Sequence, residues 1–116
     1  MAAQNDRSEA FFRSVSGCPH LLAWEPRGDW PPDLVHDLCS KLGLIHGVDP
    51  FACEPVTAGV RYFRLHGRGG YRYQYSDQEL RELRTKVMTD GSDETYVMFN
   101  NVSMKEDRAR FLALVA

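Results

Sequence analysis

Between positions 60 and 87 the chain changes its apolar period once, and that change restricts it to a small set of folds. Over residues 60–67 the period is two: Val60, Tyr62, Arg64 and His66 fall on one face of an extended strand, and Arg61, Phe63, Leu65 and Gly67 on the other. Gly67-Arg68-Gly69-Gly70 breaks the strand. Ser76-Asp77-Gln78-Glu79 then reads as a capping box, in which a hydroxyl and a carboxylate satisfy helix-start amides reciprocally. Leu80, Leu83 and Val87 give the following helix its apolar stripe, and Gly91 is expected to close it. A strand, a glycine loop and an amphipathic helix in this order form a βα unit.

The same grammar recurs on both sides. Ser8 is placed to cap a first helix that carries Phe11, Phe12 and Val15 and is stopped by Gly17-Cys18-Pro19. Residues 21–25 form a short strand with Leu22 and Trp24 on one face and Ala23 and Glu25 on the other. Pro31-Pro32-Asp33 starts a helix with Leu34, Leu38 and Leu42 as its stripe, and Gly43 ends it. Residues 44–49 form a second strand, and residues 50–59, with two prolines and no helical period, an irregular crossover. Residues 95–99 form a fourth strand running into Asn100-Asn101. Ser103-Met104-Lys105-Glu106 reads as a second capping box, opening a helix expected to bury Phe111, Leu112 and Val115. Alternation of this kind predicts an α/β domain over residues 8–116 with a mainly parallel sheet, preceded by a disordered, polar segment at residues 1–7.

Composition narrows the function classes. With 43% hydrophobic and 26% charged residues the chain is that of an ordinary soluble globular protein, and a net charge of −2 gives no general attraction to nucleic acid or anionic membranes. There is no apolar run of the roughly 18 residues a membrane helix needs, and the first ten residues lack the basic and apolar parts of a signal peptide, so a cytoplasmic protein is expected. Cys18, Cys39 and Cys53 are widely spaced and read as reduced structural thiols.

Four separated motifs carry a family resemblance: AWEPRG at 23–28, VDPF at 48–51, YFRLHGRGGYRYQYSDQEL at 62–80 and YVMFNNVSM at 96–104. In this order they resemble the DUF72 family, also called UPF0759 or YecE-like, from about Glu9 to the C-terminus. The resemblance implies a TIM-type (β/α) barrel without an established activity, described in places as sugar-isomerase-related. The 116 residues are about half of the roughly 250 of a complete barrel. The implied fold is therefore a partial TIM-like barrel, a half-barrel of about four parallel strands with flanking helices, matching the C-terminal half. Such a half leaves sheet edges and an inner face uncovered, so either self-association as a homodimer or a missing N-terminal half is expected.

Parallel strands bring their C-terminal ends to one rim, which is where α/β enzymes hold reacting groups. That rim would receive Glu25 and Arg27, His46 and Asp49, Arg64 and His66, and Asn100 and Asn101. Glu25 with His66 or His46 is the acid/base candidate, since both types titrate near neutrality when their surroundings are tuned. Arg27, Asp49, Arg64, Arg68, Tyr71, Asn100 and Asn101 are the ligand-binding candidates. The bland alternative is a Glu25 salt bridge to Arg27 or Arg64 that carries no chemistry. Glu25, His46, Asp49 and His66 include metal-ligand types, but without a close-spaced motif no metal is assigned. The amides of the glycine loop, with Arg64, Arg68 and Arg72, could hold an anion. Tyr71, Tyr73 and Tyr75 after an Arg-Gly-Gly run invite a single-stranded nucleic-acid reading, which the negative net charge opposes; pocket-wall or packing roles suit them better. Trp24 is expected in the core and Trp30 as a lid, with His20 and His36 structural or solvated. The reading that results is a rim for a small polar, phosphorylated or sugar-like ligand. The alternative is a non-catalytic interaction module.

Overall fold

The computed structural model describes residues 2–15, 17, 19–89 and 94–116. The order is α1 (Ala2–Ser14), β1 (Leu22–Trp24), α2 (Pro32–Leu42), β2 (Leu44–Val48), β3 (Val60–Leu65), α3 (Asp77–Met88), β4 (Glu94–Phe99) and α4 (Met104–Val115). The strands form one sheet in chain order, β1-β2-β3-β4, and every pair is parallel. This is the expected half-barrel arrangement.

Strand parity divides the sheet into two faces. One face packs beneath the helices. Val48, Phe63 and Leu65 are buried there with Leu80 and Leu83 of α3, Phe111 of α4 and Tyr75 from the glycine loop. A second cluster holds Leu44 with Val35 and Cys39 of α2, joined by Phe12, Leu22, Trp24 and Trp30. Burial pushes the Cys39 thiol up to about 11, so it stays protonated, as a structural cysteine should. Cys53 is exposed, and Cys18 lies outside the described residues.

Helix signals held where the local chain could obey them. Ser76 accepts from the Glu79 amide and Glu79 accepts from the Ser76 amide, completing the expected capping box. Gly43 adopts the left-handed conformation (φ 67°, ψ 37°) and donates to the Cys39 carbonyl. The crossover from 50 to 59 is irregular, as its prolines require.

Several expectations need correction. α1 begins at Ala2, so Ser8 lies inside the helix rather than at its cap, because residues 2–14 contain no glycine or proline to prevent the extra turns. The α2 stripe runs through Val35, Leu38 and Cys39, with Leu34 and Leu42 only partly buried. Ser103 does not cap α4: its backbone (φ −92°, ψ 28°) is drawn into a turn, and its side chain makes no capping bond. Leu112 is exposed; Asp107 takes the buried position on that helix instead. Trp30 is no lid, since its ring sits edge-on against Trp24 at 5.1 Å and its Nε1 donates to the Arg27 carbonyl. Gly91, expected to end α3, lies outside the described residues; α3 ends at Met88 with Thr89 donating to the Thr85 carbonyl.

Candidate functional site

The other face of the sheet carries no helix among the described residues and forms the wall of a cleft of about 770 Å³. Parity supplies its floor: Ala23 and Glu25 from the first strand, Ile45 and Gly47 from β2, Val60, Tyr62 and Arg64 from β3, and Tyr96 from β4. His20 and Arg27 line it from the flanking loops.

Charge gathers at one end, where the first and third strands finish. The Glu25 carboxylate receives Arg64 Nη1 at 3.4 Å, and His66 Nε2 lies 3.0 Å from Glu25 Oε2 and 3.2 Å from Oε1. The three side chains are 27%, 35% and 37% exposed, so the cluster is open to solvent rather than sealed as a core ion pair. Two neighbours hold His66 in place from behind. Asp49 accepts the His66 amide through Oδ2 and the Phe51 amide through Oδ1, and the Tyr75 hydroxyl accepts the Gly67 amide at 2.8 Å. Burial drives the Tyr75 phenol up to about 12, which keeps it neutral in this role.

The remaining candidates sit elsewhere. His46 pairs in register with Trp24 and so faces the helix side, with 8% exposure. Its Nδ1 accepts the Val56 amide at 3.1 Å, and its own amide donates to Thr57 Oγ1. Burial lowers its pKa, with the nearby Glu25 charge working the other way. It clasps the 50–59 crossover to the sheet and does not join Glu25, because the strand period of two puts His46 and Gly47 on opposite faces.

Arg68 leaves the rim, binding Glu79 at 3.0 Å and lying over the Phe51 ring. Asn101 is fully buried and donates to the Tyr73 carbonyl and to Asp107, tying the glycine loop to α4. Asn100 and Tyr71 are exposed; the Asn100 amide donates to the Leu65 carbonyl and the Tyr71 carbonyl accepts the Val102 amide.

The glycine loop is a tight turn. A Cβ on Gly67 (φ 95°) would lie 2.0 Å from the Gly70 carbonyl oxygen, so only glycine fits there. The Gly67 and Gly70 amides already donate within the protein. The Tyr73 hydroxyl donates to Glu79, and Tyr75 is buried, so two of the three loop tyrosines are used in packing. Burial pushes the Glu79 carboxyl up, but the Ser76 amide, Tyr73, Arg68 and the Ser76 hydroxyl outweigh it and hold the pKa below its ordinary value.

The pattern of the family described as "Protein of unknown function DUF72" matches residues 35–115. The chain belongs to this family. No curated protein and no solved structure matches it. In this DUF72 chain the family match takes in Arg64 and His66, while Glu25 and Arg27 precede it. The cluster therefore joins a residue before the matched segment to two within it, across the sheet.

Tyr62, Tyr96, Ile45 and His20 line the cleft without having been singled out as ligand contacts. Parity sets Tyr62 with Ala23 and Val60 on the inner face that a half-barrel leaves uncovered, and Tyr96 joins that face through its register with Tyr62. Among the described residues no three His, Cys, Asp or Glu side chains gather as a metal site, and no helix is long and apolar enough to cross a membrane.

Proposed function

We propose that this DUF72 chain binds a small polar anion, phosphorylated or sugar-like, in the inner-face cleft. The observation that carries this reading is the meeting of Glu25, Arg64 and His66 at the C-terminal end of the sheet, with Arg27 lining the same cleft. Two guanidinium groups against one carboxylate leave the end of the cleft positive, and an arginine presents paired donors suited to phosphate or carboxylate. Arg27 makes no ion pair among the described residues, so it is the cation best placed to meet an incoming anion. Glu25 and His66 form a carboxylate–imidazole pair of the kind that moves protons, and any catalysis by this face would use them.

The experiment is a thermal-shift titration with inorganic phosphate and a hexose phosphate. Binding at a hundred times Kd stabilises by about 2.7 kcal/mol, which is easily read as a rise in Tm. Arg64→Ala is expected to abolish the rise while moving the urea midpoint by less than about 1 kcal/mol, since an ion pair open to solvent contributes little to folding. A flat titration with folded protein would reject the reading, and a large stability loss with an unchanged ligand response would make Arg64 a structural ion-pair residue.

A second reading, an interaction module that self-associates, has its own support. Tyr96 and Met98 are 48% and 46% exposed on the uncovered face of an edge strand. Parallel sheets ordinarily have both faces covered.

A further inference from the structure

The cleft is charged at one end and aromatic beside it. Gly47 pairs with Tyr62 and Tyr62 with Tyr96, and a Cβ on Gly47 would stand 3.6 Å from the Glu25 Cβ, so Glu25, Gly47, Tyr62 and Tyr96 make one row across the inner face. Arg64 lies two residues beyond Tyr62 on the same face of β3, roughly 7 Å along the strand. Ring and guanidinium are therefore near neighbours.

The two tyrosines turn to different partners. Paired strands run about 4.8 Å apart, so tyrosines directly opposite each other are within reach of ring-to-ring packing. Tyr62 instead inclines toward β2, its Cδ1 lying 3.5 Å from where a Gly47 Cβ would be, in room the glycine leaves. The Tyr96 hydroxyl donates to Glu94, two residues back on its own strand, and the side chain is 48% exposed. Among the described residues neither ring packs on another aromatic side chain, whereas Tyr73, Tyr75 and both tryptophans do.

We propose that the anion bound in this cleft carries a planar aromatic ring, held between Tyr62 and Tyr96 with its phosphate at Arg64 and Arg27: an aryl phosphate ester. The inference rests on the anion-binding reading above and names the body of that anion.

Two observations select an aromatic body over a carbohydrate one. The first is hydrogen-bond accounting. Each hydroxyl of a sugar needs a partner when it leaves water, and one left unmade is costly. Along this row the polar groups are already engaged, both Glu25 oxygens by Arg64 and His66 and the Tyr96 hydroxyl by Glu94. Toward the start of the strands, Ala23, Ile45 and Val60 offer only hydrocarbon side chains. A planar ring has no hydroxyls to satisfy, and its faces and edges suit those of tyrosine.

The second is the shape of the space. A cleft of about 770 Å³ is of the size that holds a small organic molecule, roughly 300–1,000 Å³, and inorganic phosphate would leave most of it empty. The part next to Arg64 is lined by Tyr62 and Tyr96 from neighbouring strands. Aromatic walls with a few placed charges are what such sites use to orient a ligand.

Isothermal titration calorimetry on the full chain, with inorganic phosphate, phenyl phosphate and glucose 6-phosphate as separate probes, tests the assignment. Wild type is expected to bind phenyl phosphate about tenfold tighter than inorganic phosphate, a difference of about 1.4 kcal/mol, and glucose 6-phosphate no tighter than inorganic phosphate. Tyr62→Leu keeps apolar bulk and removes the aromatic face. It is expected to cut the phenyl phosphate advantage to about threefold or less, and Tyr96→Leu to cut it in the same direction.

Equal affinities for phenyl phosphate and inorganic phosphate, or an equal gain with glucose 6-phosphate, overturn the aromatic body and leave the anion reading standing. A phenyl phosphate advantage that survives both leucine variants overturns the place of the ring between the tyrosines. No binding of any probe to folded wild type rejects the anion reading and this inference with it. Should Tyr62→Leu fail to fold, Tyr96→Leu, at an exposed position, decides the same question.

Discussion

His46 shows how a single residue can carry recognisable chemistry in the sequence and a different duty in the fold. Its Nδ1 must stay unprotonated to accept the Val56 amide, and burial favours that neutral form. The folded pKa therefore lies below that of the unfolded chain. The unfolded chain binds more protons as pH falls, so the stability this clasp provides is complete above the ordinary imidazole value of about 6.5 and is lost as pH drops through the lower, folded value. His46→Asn keeps an acceptor near the Nδ1 position and cannot take up a proton. We expect the wild-type urea midpoint to fall between about pH 7 and 5 by more than that of His46→Asn; equal slopes for the two proteins would remove His46 from the pH dependence. Asp49 is similar in kind. A carboxylate at a strand end looks like a ligand group, but its two oxygens are occupied by the amides of Phe51 and His66. Its service to the cleft is indirect, through the backbone that presents the His66 ring.

At the scale of an element, two stretches with the same Ser-x-x-Glu spacing behave differently. Ser76 sits in extended backbone (ψ 164°), so its hydroxyl reaches the Glu79 amide, whereas Ser103 is turned (ψ 28°) and its hydroxyl makes no such bond. Ser76→Ala is expected to cost about 1 kcal/mol, the usual value of a helix cap, and Ser103→Ala to fall within about 0.5 kcal/mol of wild type. Urea denaturation of the two single variants measures the contrast, and equal losses would show that both caps form. Glu79 does more than close a box, since Tyr73 and Arg68 also converge on it from the glycine loop. That loop had suggested an anion cradle or a stacking platform. Its Gly67 and Gly70 amides, Arg68, Tyr73 and Tyr75 are instead bonded within the loop, to α3 or in the core, and Arg64 and Arg27 are the arginines that line the cleft.

At the scale of the whole molecule, one buried carboxylate holds three elements together. Asp107 of α4 is fully buried and accepts the Tyr75 amide, Asn101 Nδ2 and Arg110 Nη1, so the glycine loop, the end of β4 and α4 meet at one side chain. Asp107→Ala would strand these donors away from water, and a loss of about 2–4 kcal/mol is expected in the urea midpoint; a loss below about 1 kcal/mol would show that the loop and α4 are held independently. The sequence by itself determined the strand and helix order, the parallel sheet, the parity of β3, the Ser76 cap and the Gly43 stop, because each rests on periodicity or on backbone chemistry confined to a few neighbours. It also determined that Glu25, Arg64 and His66 stand at strand ends, which parallel strands bring to one rim. Only the tertiary structure decided that these three touch while His46, Arg68 and Asn101 turn away. A polar side chain at a strand end takes whichever partner the packed chain brings within hydrogen-bond reach, and for Glu25, His46, Arg68 and Asn101 those partners lie 6 to 41 residues away in sequence.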